Sequence, residues 1–379
     1  MPFHAARRGP RARWLSLCLA LGAALLLACG GASKDSNNGG TSGNASAATK
    51  PGSPATGGVP CQTPATGVHN DLLVTRDQAL YLRDMKSGKE TKLLTAPAGQ
   101  FVTYPTWAPD GRCFLFALDT PFQGNIAANW GSDFYLADAD GGNQTLLLKH
   151  DQPGAELESP AWTPDGNAIV YAYFLTQYDA QGQYKGQVYE ARTFNLSSRA
   201  TTSLLTDANS TNLCRTGARL AYVNFNQTDF TSYGIWVADA DGKNGKNIVG
   251  SQTGMQAFYA PRFSPDCKVV IFAAVGGGLR EAPGGGSGNL LTHLLAPLAP
   301  AVAEAHGPPW ELWRVDADGS NLKRITSLAE DLPFAEWSAD GQTVVFLGAG
   351  GLYQMAPDGS SIKKLAPGAT HGQISWRQK

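Results

Sequence analysis

Short apolar runs separated by tight-turn sequences fill the chain from residue 70 onward. The runs at 113–118, 168–174, 269–275 and 343–347 each follow Pro-Asp-Gly or a close variant of it. In such a turn proline fixes φ near about −65°, aspartate supplies a side-chain acceptor, and glycine adopts a positive φ. The pattern therefore predicts many short β-strands joined by hairpin turns.

The first turn block recurs around an aromatic residue. Clear copies span 104–111, 159–166, 261–267 and 334–341, a degenerate copy spans 213–217, and a further copy begins at 374–376. The predicted turn residues of this block are Asp110, Gly111, Asp165, Gly166, Asp266, Asp340 and Gly341.

A second block, Asp-Ala-Asp-Gly, alternates with the first. It occurs in 134–141, 235–242 and 312–319, and weaker copies occur in 80–88, 188–197 and 352–359. Its predicted turn acids are Asp138, Asp140, Asp239, Asp241, Asp316 and Asp318. One unit therefore contains strand, Pro-Asp-Gly hairpin, strand, loop, strand, Asp-Gly hairpin and strand, which is the four-stranded antiparallel blade of a β-propeller.

The two ends of the repeat region each carry part of a blade. Residues 72–94 provide only later strands, whereas residues 373–377 provide only a leading strand. If these ends pair, the ring has no open sheet edge. We therefore predict an all-β, six-bladed β-propeller with four-stranded antiparallel blades, closed by its N- and C-terminal strands. Five or seven blades remain alternatives.

The alternation of the two blocks resembles the WD40-like propeller repeat of the TolB family, over roughly residues 70–379. The resemblance implies a periplasmic six-bladed propeller that acts as a platform for protein interactions. TolB proper carries an α/β domain ahead of its propeller, and no such domain is expected here, so its role in the Tol–Pal system does not transfer. Similar repeats precede the hydrolase domain of prolyl-oligopeptidase-type peptidases, but this sequence has no Gly-x-Ser-x-Gly motif.

The first thirty residues have the pattern of an export signal. Residues 1–28 contain four arginines and no acid, and residues 14–28 form an apolar stretch too short to span a bilayer. The sequence Leu-Leu-Ala-Cys-Gly at 26–30 resembles the lipobox of bacterial lipoproteins. That resemblance implies cleavage before Cys29, acylation of Cys29, and outer-membrane sorting in a cell with two membranes. An ordinary signal peptide with a chance cysteine is the alternative.

These signals predict the organisation of the chain. Residues 1–28 form a lipoprotein signal peptide, and residues 29–69 form the acylated cysteine with a disordered Gly/Ser/Pro tether. Residues 70–379 form the propeller. A loop insertion at 276–309, apolar but broken by prolines, is either a docking element or a partly ordered loop.

Composition narrows the class of protein. The chain has 44 glycines, 23 prolines, 16% charged residues and 42% hydrophobic residues. These values exclude a coiled coil and argue against disorder throughout. Removal of residues 1–28 would move the net charge from −1 to about −5, so nucleic acid is not an expected partner.

The candidate chemistry is sparse. The paired aspartates lack the ligand spacing of a calcium loop, so we interpret them as hairpin caps. Histidines 69, 150, 293, 306 and 371 show no metal-binding spacing, and His150 and His371 are expected at the surface without a chemical role. The repeat aromatics are interpreted as blade packing rather than sugar stacking. No metal and no cofactor are predicted.

Four cysteines besides Cys29 remain after the leader. An even number in an exported protein favours disulfides, and three pairings are possible. Cys214 and Cys267 lie in equivalent hairpin regions of neighbouring repeats, so we favour that pair. Cys61 would then pair with Cys113 and fix the tether to the ring.

The sequence thus predicts a monomeric, envelope-anchored lipoprotein that binds a protein or peptide of the envelope without catalysis and contacts the membrane only through its lipid. It would face the periplasm or the cell surface. The alternative is an enzyme or carbohydrate-binding propeller with a lactonase-like or hydrolase-like site in the central channel. A purely structural surface protein is the third hypothesis.

Overall fold

The computed structural model describes residues 61, 70–76, 78–125, 128–179, 181–226, 233–277, 310–368 and 372–377. All of them belong to one compact unit, Pro51–Lys379. The leader, Cys29, most of the tether and residues 278–309 of the insertion lie outside the described residues. Among the described residues there is no helix whose length and apolarity would allow it to cross a membrane.

Four separate sheets contain four antiparallel strands each. The first sheet pairs the last strand with the first and consists of β1 (Asp71–Arg76), β2 (Ala79–Asp84), β3 (Glu90–Thr95) and β24 (Ile374–Trp376). The second consists of β12 (Ala208–Leu213), β13 (Arg219–Asn224), β14 (Gly234–Asp239) and β15 (Lys246–Gly250), which a short 3-10 helix, Ser251–Thr253, follows. The third consists of β16 (Met255–Phe263), β17 (Val269–Gly276), β18 (Trp310–Asp316) and β19 (Lys323–Arg324). The fourth consists of β20 (Phe334–Trp337), β21 (Val344–Leu347), β22 (Leu352–Met355) and β23 (Lys363–Ala366).

The other eight strands form one continuous sheet. It combines β4 (Phe101–Trp107), β5 (Cys113–Thr120), β6 (Gly131–Asp138) and β7 (Thr145–Leu148) with β8 (Ala155–Trp162), β9 (Ala168–Tyr178), β10 (Tyr184–Asn195) and β11 (Thr201–Thr206). Within each half the pairs are antiparallel, and a single parallel pair, Gly131↔Ala155, joins the halves.

The prediction of six separate four-stranded blades is therefore corrected: four blades are separate, and eight strands form one sheet. The physical reason is a close backbone approach at Gly131. A Cβ atom there would lie 2.2 Å from the carbonyl oxygen of Ala155, and Gly131 has φ +135°. Only a residue without a side chain allows β6 to come this close to β8.

The leading strands β4, β8, β12, β16, β20 and β24 contact one another in this order, and β24 also contacts β4. Four of them are bulged at the same repeat position, where Tyr104, Ser159, Ser210 and Ala260 have φ between 47° and 49°. A bulge turns the side chains of a strand relative to its partner. The repeat thus gives each of these four strands the same local bend.

The apolar core lies between neighbouring four-strand groups. One buried cluster, for example, combines Ile235 and Val237 of β14 with Phe272 of β17 and Trp313 of β18. Another combines Leu72 of β1 with Val345 of β21. Six such clusters occur among the described residues. Burial of apolar area at about 25 cal/mol per Å² makes these layers the main stabilising term.

Candidate functional site

The leading strands line a half-open cavity of about 310 Å³. Its wall includes residues of β4, β8, β12, β16, β20 and β24, so every four-strand group contributes to it. This volume is at the lower end of the roughly 300–1,000 Å³ usual for ligand pockets. The cavity is suited to a small group or a few residues of a chain rather than to a folded domain.

One repeat position supplies a cavity residue from each leading strand. It is the position directly before the repeat aromatic or its leucine counterpart, Leu213. The six residues at this position are Thr106, Ala161, Asn212, Arg262, Glu336 and Ser375, and all six line the cavity. Four of these side chains are neutral, and the two charged ones are on the consecutive leading strands β16 and β20.

Arg262 is held in the wall by stacking and by its own backbone. Its guanidinium carbon lies 4.2 Å from the centroid of the Phe334 ring, and its Nη1 donates to the carbonyl oxygen of Pro261 at 2.8 Å. The residue is 6% exposed. Burial lowers its pKa from the usual value, although the carboxylate of Glu336 opposes that shift. An arginine stays charged in spite of such a shift, so the cavity wall carries a buried positive charge.

Glu336 and Arg215 complete the charged side of the cavity. Burial raises the pKa of Glu336 to about 7, against the opposing effects of Arg262, the Trp337 N–H and Arg215. The Trp337 N–H donates to Glu336 Oε1 at 3.2 Å. Arg215 is exposed, and its Nη1 donates to the carbonyl oxygen of Ala339, in the turn that follows β20, at 3.1 Å. We call Arg215, Arg262 and Glu336 the arginine side.

A second group of ionisable side chains lies on strands of the eight-stranded sheet. Asp119 is on β5, and Glu156 and Glu158 are on β8, before its bulge. Burial and the neighbouring carboxyls raise the pKa of Glu156 well above its usual range; burial, then Asp119, raises that of Glu158 to about 7. Burial raises the pKa of Asp119 to about 6. Glu156 also shares a hydrogen bond with Glu158. We call these three residues the carboxyl side.

Two tyrosines connect the carboxyl side with the cavity. Tyr104, which lines the cavity, forms hydrogen bonds with Glu158 and with Tyr259, and Tyr259 bonds to Gln373. The Gln373 side chain in turn accepts from the Tyr104 N–H at 3.0 Å. This network fixes the tyrosine hydroxyls between β4, β8, β16 and the segment before β24.

The predicted turn aspartates lie in hairpin turns, as in Asp-Ala-Asp-Gly of 138–141. The first aspartate of each turn accepts from an asparagine side chain, Asn143, Asn244 or Asn321, at 2.6–2.7 Å. The second accepts from the backbone N–H two residues later at 2.8–3.1 Å. In the Pro-Asp-Gly turns, Asp110, Asp165, Asp266 and Asp340 accept in the same way. These carboxylates therefore cap turns.

The structure joins Cys214 to Cys267 and Cys61 to Cys113. The first disulfide links the turn after β12 with the turn after β16, beside Arg215. The second links Cys61 with the start of β5. Cys29 lies outside the described residues.

His150 is not at the surface as predicted: it is 6% exposed. Its Nδ1 lies 2.6 Å from Asp133 Oδ1, and its Nε2 lies 3.0 Å from Asn129 Oδ1, so a carboxylate and an amide hold the ring in the interior. The other five histidines lie outside the described residues. In the part of the chain that the structure describes, no group of three or more His, Cys, Asp or Glu side chains is arranged to hold a metal.

Sequence reasoning missed Arg262, Glu336 and the carboxyl side. A signal was present in the repeats. When the copies are aligned on their aromatic residues, the preceding position differs in every copy, although the positions around it recur. A position that varies within a regular repeat and lines the cavity has the freedom to carry a specific function.

No family model matches the sequence, and no curated protein matches it. Among solved structures, the chain is similar to TolB from Acinetobacter baumannii, with a TM-score of 0.55 and 15% identity over 82% of this chain and 67% of that chain. It is also similar to a puromycin-hydrolysing peptidase of Mycobacterium tuberculosis (TM-score 0.47, 13% identity, 82% of this chain and 48% of that chain). For an oligogalacturonate lyase in complex with manganese the TM-score is 0.42, with 13% identity over 79% and 86% of the two chains.

Only the first of these scores exceeds 0.5, and at 15% identity it shows the fold alone. The recognisable repeats, the antiparallel four-stranded blades and this similarity agree. The chain has the all-β fold of a TolB-like β-propeller.

Proposed function

We propose that this chain is a non-catalytic propeller of the bacterial envelope that binds a segment of another protein in its axial cavity. The observation that carries the proposal is the cavity itself: about 310 Å³, walled by all six leading strands, with four neutral and two charged residues at one repeat position. Such a mixture of apolar wall and few placed polar groups is typical of a binding site.

The proposal includes six blades and a closed ring. In this view the eight-stranded sheet consists of two blades that a single parallel residue pair links. The support is the order of contacts among the six leading strands, from β4 round to β24 and back to β4. In the proposed ring, the antiparallel pairing of β24 with β1 joins the two ends of the repeat region. The paired residues are Leu72↔Trp376, Leu73↔Ser375 and Val74↔Ile374.

The envelope location rests on the lipobox at 26–30 and on acylation of Cys29, which are proposals from the sequence. Cys29→Ser should move the protein from the membrane fraction to the soluble exported fraction, since several acyl chains at about 0.8 kcal/mol per CH₂ provide the anchor. Unchanged membrane association of this variant would contradict the anchor.

Site-specific photo-cross-linking in intact cells tests the binding function. A photoreactive residue at position 106, in the cavity wall, should capture a defined envelope protein. The same residue at position 243, on an exposed hairpin turn, is the matched control and should not capture it. Capture from neither position, or from both alike, would contradict binding in the cavity.

A channel enzyme or carbohydrate-binding protein is the second candidate. The observation that favours it is the carboxyl side, because carboxyls with raised pKa values are suited to acid–base chemistry. If the protein turns over a substrate and Glu158→Gln abolishes this turnover at unchanged folding, the second candidate replaces the first.

A further inference from the structure

We propose that the cavity binds a carboxylate carried by an extended peptide, and that Arg262 is the residue that holds it. This inference rests on the proposed binding function and names the chemistry of its ligand. The ligand carboxylate would be either a peptide C-terminus or an aspartate or glutamate side chain.

The first argument is the unpaired charge of Arg262. Among the described residues, no carboxylate oxygen lies within 4.0 Å of an Arg262 nitrogen; its one hydrogen bond runs to its own chain neighbour, Pro261. Buried charges are normally paired, because an isolated ion in a low-dielectric site is strongly unfavourable. The stacked Phe334 ring covers one face of the guanidinium and leaves its edge for an anion.

Glu336 does not take the place of that anion. It is near enough to oppose the lowering of the Arg262 pKa, yet it lies outside ion-pair distance. Its carboxylate accepts instead from the Trp337 N–H. The buried guanidinium of Arg262 is therefore left without a carboxylate partner among the described residues, and one singly charged anion would pair it.

The neutral wall favours a peptide around that carboxylate. Asn212 Oδ1 accepts from the Phe263 N–H at 2.9 Å, and Ser375 Oγ accepts from the Trp107 N–H at 3.2 Å. The side-chain donors of these two residues have no acceptor among the described residues, so they can donate to peptide carbonyls. Ser159 also lines the cavity, and its Oγ has no partner in the described part of the chain. Trp107, Trp162 and Trp376 provide apolar contact.

Binding of three small probes to the full chain tests the inference. They are N-acetyl-Ala-Ala-Ala with a free C-terminus, the same tripeptide as an amide, and N-acetyl-Ala-Asp-Ala-amide. Heteronuclear NMR can follow the indole resonances of Trp107, Trp162 and Trp376 during each titration. The free acid should bind with a Kd on the order of millimolar, and the plain amide should bind at least about 10-fold more weakly, since a charge-assisted hydrogen bond is lost.

Variants locate the carboxylate. Arg262→Gln should raise the Kd of the free acid about 10- to 100-fold. Arg112→Gln, which changes an exposed arginine in the turn after β4, is the matched control and should leave the Kd unchanged. Glu336→Gln removes a repelling carboxylate and should lower the Kd about 2- to 5-fold. If Arg262→Gln does not fold, the Kd values of the free acid for Arg262→Lys and Glu336→Gln provide the test.

The outcomes separate the two sources of the carboxylate. A lower Kd for the free acid than for both amides identifies a peptide C-terminus. A lower Kd for the Asp-containing amide than for the other two probes identifies an acidic side chain. The inference would be overturned if neither carboxylate probe binds more tightly than the plain amide, if the Kd is unchanged in Arg262→Gln, or if no probe gives a response.

The same variants separate this inference from the proposed function. If position 106 captures its partner equally well in the Arg262→Gln protein, the carboxylate inference fails and the binding function stands. If carboxylate probes bind at Arg262 but no partner is captured in cells, the inference stands and the proposed function fails.

Discussion

The arginine side and the carboxyl side are built on strands of the same repeat but differ in their chemistry. On the carboxyl side, burial raises the pKa values of all three acids, and Asp119 raises those of Glu156 and Glu158 further. On the arginine side, two arginines face one glutamate, and Arg262 has no carboxylate at ion-pair distance among the described residues. The comparison teaches that the same repeat architecture positions the side chains, whereas the residue at each position decides whether the site holds a fixed positive charge or protonatable carboxyls.

The two sides also differ in how their strand groups are joined. The disulfide Cys214–Cys267 links the sheets that carry Arg215 and Arg262. On the carboxyl side, the backbone pair Gly131↔Ala155 joins the two halves of one sheet. A covalent bond therefore fixes one side, and backbone pairing fixes the other. Variants that break either junction show how far each charge arrangement depends on it.

The largest effect is expected when the disulfide beside the arginine side is removed. The double variant Cys214→Ala with Cys267→Ala removes a cross-link between residues 53 positions apart in the sequence. For a loop of this length the chain-entropy relation gives a loss of about 4 kcal/mol in the free energy of unfolding. Denaturant unfolding measures this loss. Peptide binding at Arg262 should weaken as well, because the two sheets can shift.

The matched control is Cys61→Ala with Cys113→Ala, whose separation of 52 residues predicts a similar loss of stability. This pair does not link the sheets of the arginine side, so peptide binding should persist. If both double variants retain binding equally, the disulfide does not position the arginine side.

The next largest loss of stability is expected when the backbone pair that joins the two halves of the eight-stranded sheet is disturbed. Gly131→Ala would place a Cβ 2.2 Å from the Ala155 carbonyl oxygen and force β6 away from β8. We expect a loss of about 2–3 kcal/mol in the free energy of unfolding. Gly124→Ala is the control, because Gly124 also has a positive φ but no atom within 4 Å of its would-be Cβ. Equal losses would show that backbone conformation, not the close approach, makes Gly131 necessary.

A smaller effect is expected from neutralising the carboxyl side. Raised pKa values mean that the folded state holds these protons more tightly than the unfolded chain does, so the contribution to stability is full below about pH 4.5 and is lost as pH rises towards 7. Each group can contribute at most about 1.4 kcal/mol per pH unit, and partial exposure reduces this. Glu158→Gln should therefore raise the unfolding free energy at pH 8 by about 1–2 kcal/mol.

Thermal unfolding between pH 5 and 8 checks this: the wild type should lose stability with rising pH more steeply than Glu158→Gln. Glu190→Gln, on β10 and paired with Arg192, serves as the control outside the carboxyl side. A parallel pH dependence in wild type and Glu158→Gln would rule out the carboxyl side as its source.

The smallest effect is a local titration on the arginine side. The Trp337 N–H donates to Glu336, whose raised pKa of about 7 places its ionisation near neutrality. The amide resonance of Trp337 should therefore titrate with a midpoint near 7 in NMR spectra, and this titration should vanish in Glu336→Gln. A Trp337 resonance that does not move between pH 5 and 9 would contradict the protonation equilibrium of Glu336.

Much of the fold could be predicted from the sequence because turn chemistry is local. The aspartates of both blocks cap their own hairpins through bonds to residues two to five positions away, so short motifs report them. The parallel pair Gly131↔Ala155 could not be predicted, because neither residue belongs to a recurring motif. His150 was placed at the surface wrongly, since its burial depends on Asp133, on a strand that only the fold brings near.

The candidate site was less accessible to prediction. Arg262 and Glu336 occupy the same repeat position on two different leading strands, but they are 74 residues apart in the sequence. Their proximity depends on the side-by-side packing of β16 and β20. The carboxyl side has the same origin, because Asp119 and Glu158 belong to different repeats.

The pairing of β24 with β1 has a consequence for how the molecule is made. Thr75 and Gln373 exchange hydrogen bonds across 298 residues of chain, and synthesis at roughly 5–20 residues per second separates their appearance by about 15–60 s. During that interval β1 lacks its partner and presents an open strand edge, which other chains can pair with. The first sheet to be synthesised is therefore the last to be completed, and the nascent chain needs protection from aggregation until its final strand arrives.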